Sequence, residues 1–323
     1  MNLERLEYFV AVAENLNFTR AADACHVAQT AVSRHIAALE EEIGCKLFFR
    51  SSRAVELTPA GKAFYEEIVP MLSHYRRGVE RARNAYQGKA SSLRLGIGQY
   101  EGGLAAELFK EFHSLFPDIV LSLSQYPYDR LPERVRDGSV DVAFLSPYTE
   151  GAEERTDFAM YPVFSSRTCV LLEKDSPLTD KMTGGKGERR YFRAEDFREM
   201  ELFAIVEQEG VMSLEAIRTR LASMGAEPLR LTAADSLSTL FSMVRAGLGA
   251  ALVPAFLESE LPDGLALYPQ RACPEREYWC ISRRESENPA AELFCRGILT
   301  SQTVMNRIRK HYVRPETART ESV

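Results

Sequence analysis

No uncharged apolar stretch in this chain approaches the roughly 18 residues a membrane-crossing helix requires; the best candidate, Leu248 to Leu257, is far shorter and contains Pro254. The six cysteines, Cys25, Cys45, Cys169, Cys273, Cys280 and Cys295, include no CxxC pair, so a disulfide or zinc framework is not expected and most should be small buried side chains. GxSxG, HExxH and phosphate-loop patterns are missing, and His26, His35, His74, His113 and His311 have no partner at metal-ligand spacing. Gly96-x-Gly98 invites a dinucleotide reading, but the next glycine falls at 102 instead of 101. No metal, no cofactor and no enzymatic activity are expected. The start, Met1-Asn-Leu-Glu-Arg, places a carboxylate where a signal peptide carries basic residues, so the expected location is cytoplasmic.

What is present is an ordinary folded composition of 323 residues, 45% hydrophobic and 27% charged, long enough for two or three domains. The net charge of −6 speaks against coating nucleic acid through bulk charge. That charge is uneven: up to Ala90 there are 12 basic against 11 acidic residues, leaving 28 against 35 for the remainder. Localised binding by the first ninety residues stays open.

Leu6, Phe9, Val10 and Ala13 are spaced as the buried stripe of a short helix. Thr19, preceded by Phe18, reads as the N-cap of a second helix through Ala21, Ala22 and Cys25. After a turn at His26-Val27, Val32, Ile36, Leu39 and Ile43 mark a third helix closed by Gly44. Leu47–Arg50 and Arg53–Leu57 flank Ser51-Ser52 as a hairpin. Together these make a winged helix-turn-helix whose third helix would enter a DNA major groove. At 100° per residue, Gln29, Thr30, Ser33, Arg34 and Ala37 spread outward beside the apolar stripe, where Gln can pair with adenine and Arg with guanine. Arg50 and Arg53 bracket the hairpin tip and suit phosphate or minor-groove contact.

Thr58-Pro59 starts a further helix, with Thr58 as cap and Pro59 at its first position. Along it Tyr65, Ile68, Leu72, Tyr75, Val79, Ala82 and Tyr86 repeat every 3.5 residues, the seam of a coiled coil, interrupted by Pro70; Tyr65, Ile68, Leu72, Tyr75, Val79 and Ala82 are the expected dimerisation residues. The other reading of that seam is a helix packed on its own chain. Beyond the polar stretch Gln87–Ser92, strands and helices alternate: strands near Leu93–Ile97, Ile119–Leu123 and Val140–Leu145, with helices Leu104–Phe116 and Leu131–Asp137 between them. A second series has strands near Cys169–Leu172, Leu202–Val206, Leu229–Thr232 and Ala250–Val253, with helices Ser213–Met224 and Ser236–Ala246. The alternation predicts parallel sheets with helical crossovers, in two halves that make a cleft. A single closing helix is expected over Leu293–Ile308, and a disordered tail from Arg314.

The residues also carry a family resemblance. Asn17-Phe-Thr-Arg-Ala-Ala, Val27-Ala-Gln-Thr-Ala-Val-Ser-Arg34, Leu39-Glu-Glu-Glu-Ile-Gly44, Lys46-Leu-Phe-Phe-Arg50 and Leu57-Thr-Pro-Ala-Gly61 resemble the DNA-binding domain of LysR-type transcriptional regulators. The likeness continues through Arg94–Gly98, Gly138–Phe144 and Val244–Pro254. It implies an α/β chain with an N-terminal, mostly α winged helix-turn-helix (1–58), a long linker helix and hinge (59–90), and a two-lobed effector domain like type 2 periplasmic binding proteins (91–313), followed by a tail (314–323). The first lobe is expected over about 91–163 and 265–313 and the second over about 164–264. The resemblance further implies a homodimer or homotetramer on paired half-sites of double-stranded DNA, RNA polymerase as a partner, and a small-molecule effector in the cleft. Ala28 and Thr30 depart from the Ser and Pro usual in the family.

Ligands of open α/β sheets sit beyond the carboxyl ends of strands. By that rule and the resemblance, the expected effector residues are Gln99, Tyr100, Gln125, Ser146, Arg167, Glu207, Gln208, Pro254 and Phe256. Tyr100, Tyr126, Tyr128 and Phe256 would suit an aromatic ligand, whereas Glu101, Glu207 and Glu209 would oppose a dianion, which leaves the ligand's charge open. The alternative readings are a cysteine-based redox-sensing regulator and a plain solute-binding domain; the latter leaves the first ninety residues without a role.

Overall fold

The structure, a computed structural model, describes residues 2–50, 55–86, 92–145, 147–148, 157–184, 190–207, 210–286 and 288–312. The chain divides into two compact units, one formed by Met1–Tyr86 and the other by most of the remainder. Among the described residues no helix is long and apolar enough to cross a membrane.

The first unit contains α1 (Leu3–Asn15), α2 (Phe18–Ala24), α3 (Gln29–Ile43), β1 (Phe48–Arg50), β2 (Val55–Leu57) and α4 (Pro59–Tyr86). Leu6, Phe9, Val12, Val32, Ile36 and Leu39 close its apolar core. β1 and β2 pair antiparallel as the wing. The cap of α2 is Asn17, not Thr19: its side-chain oxygen accepts the amide hydrogens of Thr19 and Arg20 at 2.9 and 3.0 Å, and Phe18 is already helical. An Asn oxygen two residues earlier reaches the first free amides instead. Ala28 starts α3 with no side-chain cap, and Gly44 ends it at φ +83°. Thr58 caps α4, accepting from the amide of Gly61 at 2.9 Å while donating to the carbonyl of Lys46 at 2.7 Å.

α4 corrects the expected dimer seam. Ile68 and Leu72 are buried in the core of their own unit, and Tyr65 packs against that same core with its hydroxyl donating to Glu14 at 3.4 Å. A 3.5-residue stripe shows that a helix has an apolar face, not which chain covers it. Farther along, Tyr75 and Ala82 are exposed and Val79 is half-buried, with Met71 exposed beside them. Pro70 lies inside α4 without ending it.

The second unit runs β3 (Ser92–Ile97), α5 (Gly102–Leu115), β4 (Val120–Gln125), α6 (Leu131–Arg136), β5 (Val142–Leu145), β6 (Phe158–Ser166), β7 (Thr168–Glu173), β8 (Glu201–Ile205), α7 (Leu214–Ser223), β9 (Arg230–Ala234), α8 (Leu237–Arg245), β10 (Ala250–Pro254), β11 (Leu265–Tyr268), β12 (Arg276–Arg283), α9 (Pro289–Phe294) and α10 (Gln302–Tyr312). They form two five-stranded sheets, ordered β4-β3-β5-β12-β6 and β11-β7-β10-β8-β9. β3, β4 and β5 are parallel, as are β8, β9 and β10, in agreement with the helical crossovers. The sheets are mixed, however, because β12 runs antiparallel to β5 and β6, and β7 antiparallel to β10 and β11.

Those antiparallel strands move the expected lobe boundaries. β6 keeps the chain in the first sheet through Ser166, beyond 163, and β11 belongs to the second sheet, so the return crossing falls between Tyr268 and Arg276 instead of at 265. The expected closing helix is broken into α9, a wide turn over Cys295–Leu299 and α10. The tail from Arg314 lies outside the described residues.

Two family-like motifs have clear packing roles. Arg94 on β3 grips Asp141 through a bidentate pair at 2.9 and 3.0 Å, while Asp141 also accepts the Arg94 amide. A Cβ at Gly98 would lie 2.1 Å from the Tyr128 ring, and one at Gly96 would lie 2.8 Å from Leu131. The glycines that resemble half a dinucleotide fingerprint therefore admit protein side chains. As a prediction from the uncapped start of α3, Ala28→Ser should slow hydrogen exchange of the first α3 amides about fivefold, the equivalent of roughly 1 kcal/mol; unchanged exchange would show that the cap position is not limiting.

Candidate DNA-reading helix and effector pocket

On α3, Gln29, Thr30, Arg34 and Ala37 are exposed and Ser33 is half-buried, while Val32, Ile36 and Leu39 point into the core. Gln29 donates to the Ser33 hydroxyl at 3.0 Å, one turn away, so two of the expected reading side chains are already aligned with each other. Helical phase alone decides which of these side chains face outward. Arg53 lies outside the described residues.

The wing is anchored by a residue that sequence reasoning treated as a distant acid. Glu40 is buried, and its carboxylate accepts the amides of Leu47 and Phe48 at 3.0 and 3.3 Å and pairs with Lys46 at 2.8 Å and Arg50 at 3.3 Å. Burial alone would raise its pKa; the hydrogen bonds from Lys46, Leu47 and Phe48, with the charge of Arg50, outweigh it and hold the carboxyl below its ordinary range. Arg50 also lies 4.7 Å over the Phe18 ring. Arg50 therefore braces β1 against α2 and α3, while its side chain stays 38% exposed on the wing.

In the second unit, the two sheets flank a pocket of about 730 Å³ of empty space, open solvent at its mouth included. One wall carries Tyr100, Tyr128, Tyr148 and Tyr278; the other is apolar, with Phe203, Ile217, Leu221, Met224 and Leu252. Of the expected effector residues, Tyr100 and Pro254 line it. Gln99 and Gln125 pair with each other at 2.7 Å and do not line it. Arg167 is exposed outside the lining, although its neighbour Thr168 contributes. Phe256 is a correction: it is buried against Phe164 and Tyr278 in an aromatic cluster, because the turn after β10 folds back into the core. Ser146 and Gln208 lie outside the described residues.

Glu207 is a second correction. It is buried, and instead of lining the pocket it accepts the Tyr128 amide on both carboxylate oxygens, at 3.1 and 3.2 Å, which ties the second sheet to the first. The Tyr128 hydroxyl donates to Glu101 at 2.6 Å, and Glu101 also accepts the Gly98 amide at 3.0 Å. Burial pushes the Glu101 carboxyl up to about 7 despite the hydrogen bonds from Tyr128 and the backbone, and burial with the charge of Asp129 pushes Glu207 up to about 7.

Sequence reasoning missed Arg220. It flanks the Ile217–Leu221–Met224 stripe of α7, a position that a charged residue occupies when it is half-buried; its guanidinium lies 3.7 Å from the Tyr148 ring centroid and donates to the carbonyl of Val211 at 2.5 Å. Arg276 approaches the same ring at 5.4 Å. Cys273 lines the pocket, but burial pushes its thiol up to about 11 and raises Cys280 and Cys295 as well. Such thiols stay protonated at neutral pH and are poor nucleophiles.

A family model described as "Bacterial regulatory helix-turn-helix protein, lysR family" matches residues 3–62, and one described as "LysR substrate binding domain" matches residues 86–302. The chain belongs to the LysR family of transcriptional regulators. Among its relatives, the HTH-type transcriptional regulator AlsR of Bacillus subtilis (strain 168) is 26% identical over 91% of this chain and 94% of its own length. TfdS of Cupriavidus pinatubonensis is 31% identical over 79% of this chain and 83% of its own. The crystal structure of CbnR, a LysR family transcriptional regulator, shares the fold with a TM-score of 0.59, at 22% identity over 97% of this chain and 99% of that one. The helix-turn-helix model thus falls in the first unit and the substrate-binding-domain model essentially in the second, and this family is not enzymatic.

Because folding raises the Glu101 and Glu207 pKa values above the ordinary carboxyl value, the native regulator holds these protons more tightly than the unfolded chain. Their contribution to stability is complete below about 4.5 and is lost as pH rises through about 7. Glu101→Gln, which stays neutral, should raise the thermal midpoint at pH 8 relative to wild type and change it little at pH 5; the opposite trend would reverse the assignment. Glu40→Gln should loosen the wing, read as faster hydrogen exchange at Leu47 and Phe48, without altering the α1 amides.

Proposed function

We propose that this regulator reads paired half-sites of double-stranded DNA with α3, that it does so as a homodimer joined through the outer part of α4, and that a small effector in the pocket between the two sheets sets its activity. The observation that carries this reading is the pairing, in one chain, of a polar, prealigned helix face with a partly apolar pocket spanned by a hydrogen bond between its lobes. The proposed division is 1–58 for DNA binding, 59–90 for the linker helix and 91–313 for the effector domain, with the tail beyond it.

Gln29, Thr30, Ser33 and Arg34 are the proposed base-reading group, and Arg53 the proposed phosphate contact on the wing. Tyr75, Val79 and Ala82, with Met71, are the proposed dimer contacts, because they leave apolar surface uncovered by their own unit. Ligand binding shifts the population of lobe arrangements, which changes dimer packing and DNA bending in front of RNA polymerase. The proposed location is the cytoplasm, and tetramerisation is an extension of the same dimer scheme.

Arg34→Ala should relax base preference at one position of the half-site, whereas Arg53→Ala should weaken binding to all sequences and lower the salt slope by about 1. Equal affinities for wild type and both variants across several salt concentrations would remove these roles. Tyr75→Glu combined with Val79→Glu should yield monomers in light scattering, with unit 1 still folded; an unchanged mass would place the dimer contact elsewhere.

A further inference from the structure

We infer that the acid-recognising group of the pocket is Arg220 on α7, assisted by Arg276, and that the ligand is a small monocarboxylate whose apolar or aromatic body lies under α7. This inference rests on the reading of the pocket as the effector site.

An anionic ligand of an α/β lobe ordinarily meets the free amides where a strand ends and a helix begins. In this chain the corresponding place, between β3 and α5, is filled by the protein's own Glu101. Its carboxyl is fully buried, accepts the Gly98 amide at 3.0 Å and the Tyr128 hydroxyl at 2.6 Å, and is turned toward the amides of Tyr100 and its own residue. A ligand carboxylate placed there would meet a second carboxyl in a dry site, so the donors at that turn are unavailable to it.

The pocket wall offers a different cation. Arg220 is half-buried over Tyr148, and Arg276 approaches the same ring, so two guanidinium groups share one aromatic side chain. Among the described residues neither guanidinium pairs with a carboxylate. Burial and the charge of Arg276 both act against the charge of Arg220, so an anion settling beside it relieves that opposition. Arginine suits a planar carboxylate because its donors form a matching fork.

The remainder of the pocket fixes the body of the ligand. Phe203, Ile217, Leu221, Met224 and Leu252 present only apolar surface, where a second charge would be buried without a partner. Tyr100 and Tyr278, with pKa values raised by burial, remain neutral and can flank a ring without adding charge. One acid group and an uncharged body of aromatic or short aliphatic type match these walls; a dicarboxylate does not.

The test uses the full-length protein and calorimetric titration with benzoate and hexanoate, their uncharged counterparts benzamide and hexanamide, and the dianions succinate and phthalate. The monocarboxylates should bind at least about tenfold more tightly than the matched amides, and the dianions should be no better than the amides. Arg220→Met should lose at least about tenfold in benzoate affinity and bring the benzoate-to-benzamide affinity ratio close to one. The acid-against-amide comparison on the wild-type protein keeps the inference testable if that variant does not fold. Amides binding as tightly as acids, or Arg220→Met retaining benzoate, would overturn the anchor while the pocket stands as the effector site. Dianions binding as tightly as monocarboxylates would overturn the single-charge assignment. No binding by any probe would overturn both this inference and the reading of the pocket.

Discussion

Tyr128 is held from three directions. Its hydroxyl donates to Glu101, its amide donates to Glu207 on the second lobe, and its ring occupies space that exists because residue 98 is glycine. The pocket depends on this arrangement. One side of it is a tyrosine wall that Tyr128 helps to set, and the lobes that flank it are linked through the Glu207 carboxylate. Both carboxyls are buried, so each is stable there only with its hydrogen-bond partners in place. A polar link of this kind between lobes favours one arrangement of them while leaving it within reach of a ligand's differential affinity.

The DNA-binding unit uses a related device for a different purpose. Glu40, at the inner end of the recognition helix, gathers two backbone amides, a lysine and an arginine, and thereby fixes the first wing strand to that helix. The acidic run Glu40–Glu42 is thus divided in role: its first member is structural, whereas Glu41 and Glu42 are exposed. The residues proposed to read bases from the exposed face of α3 would gain precision from a helix and wing that cannot move independently, since protein–DNA contacts are sensitive to small shifts of a reading helix.

Some of the expected site residues were legible because a single periodicity decides their position. The exposed face of α3, the cap at Thr58 and the parallel strand series each follow from local spacing and turn chemistry. Ile68 and Leu72 show the limit of that approach, since their spacing fits a dimer seam and an intramolecular core equally well and the tertiary structure chose the core. Phe256 and Glu207 were placed correctly at strand ends, yet one turns into an aromatic cluster and the other toward the Tyr128 amide. Arg220 was invisible for the opposite reason: no motif marks it, and its importance arises from Tyr148 and Arg276, distant in sequence, meeting at one ring.

The sequence by itself determined the family, the winged helix-turn-helix, the polar face of α3 and the alternation that builds two lobes, because these depend on residues near one another along the chain. Only the tertiary structure decided where β6, β11 and β12 join the sheets, which half of α4 is already covered, that Arg50 braces the wing, and that the β3–α5 turn is filled by Glu101 while Arg220 faces the pocket. Those outcomes depend on which side chains from remote segments come within a few ångströms of each other, where burial and hydrogen bonding, not spacing, set their chemistry.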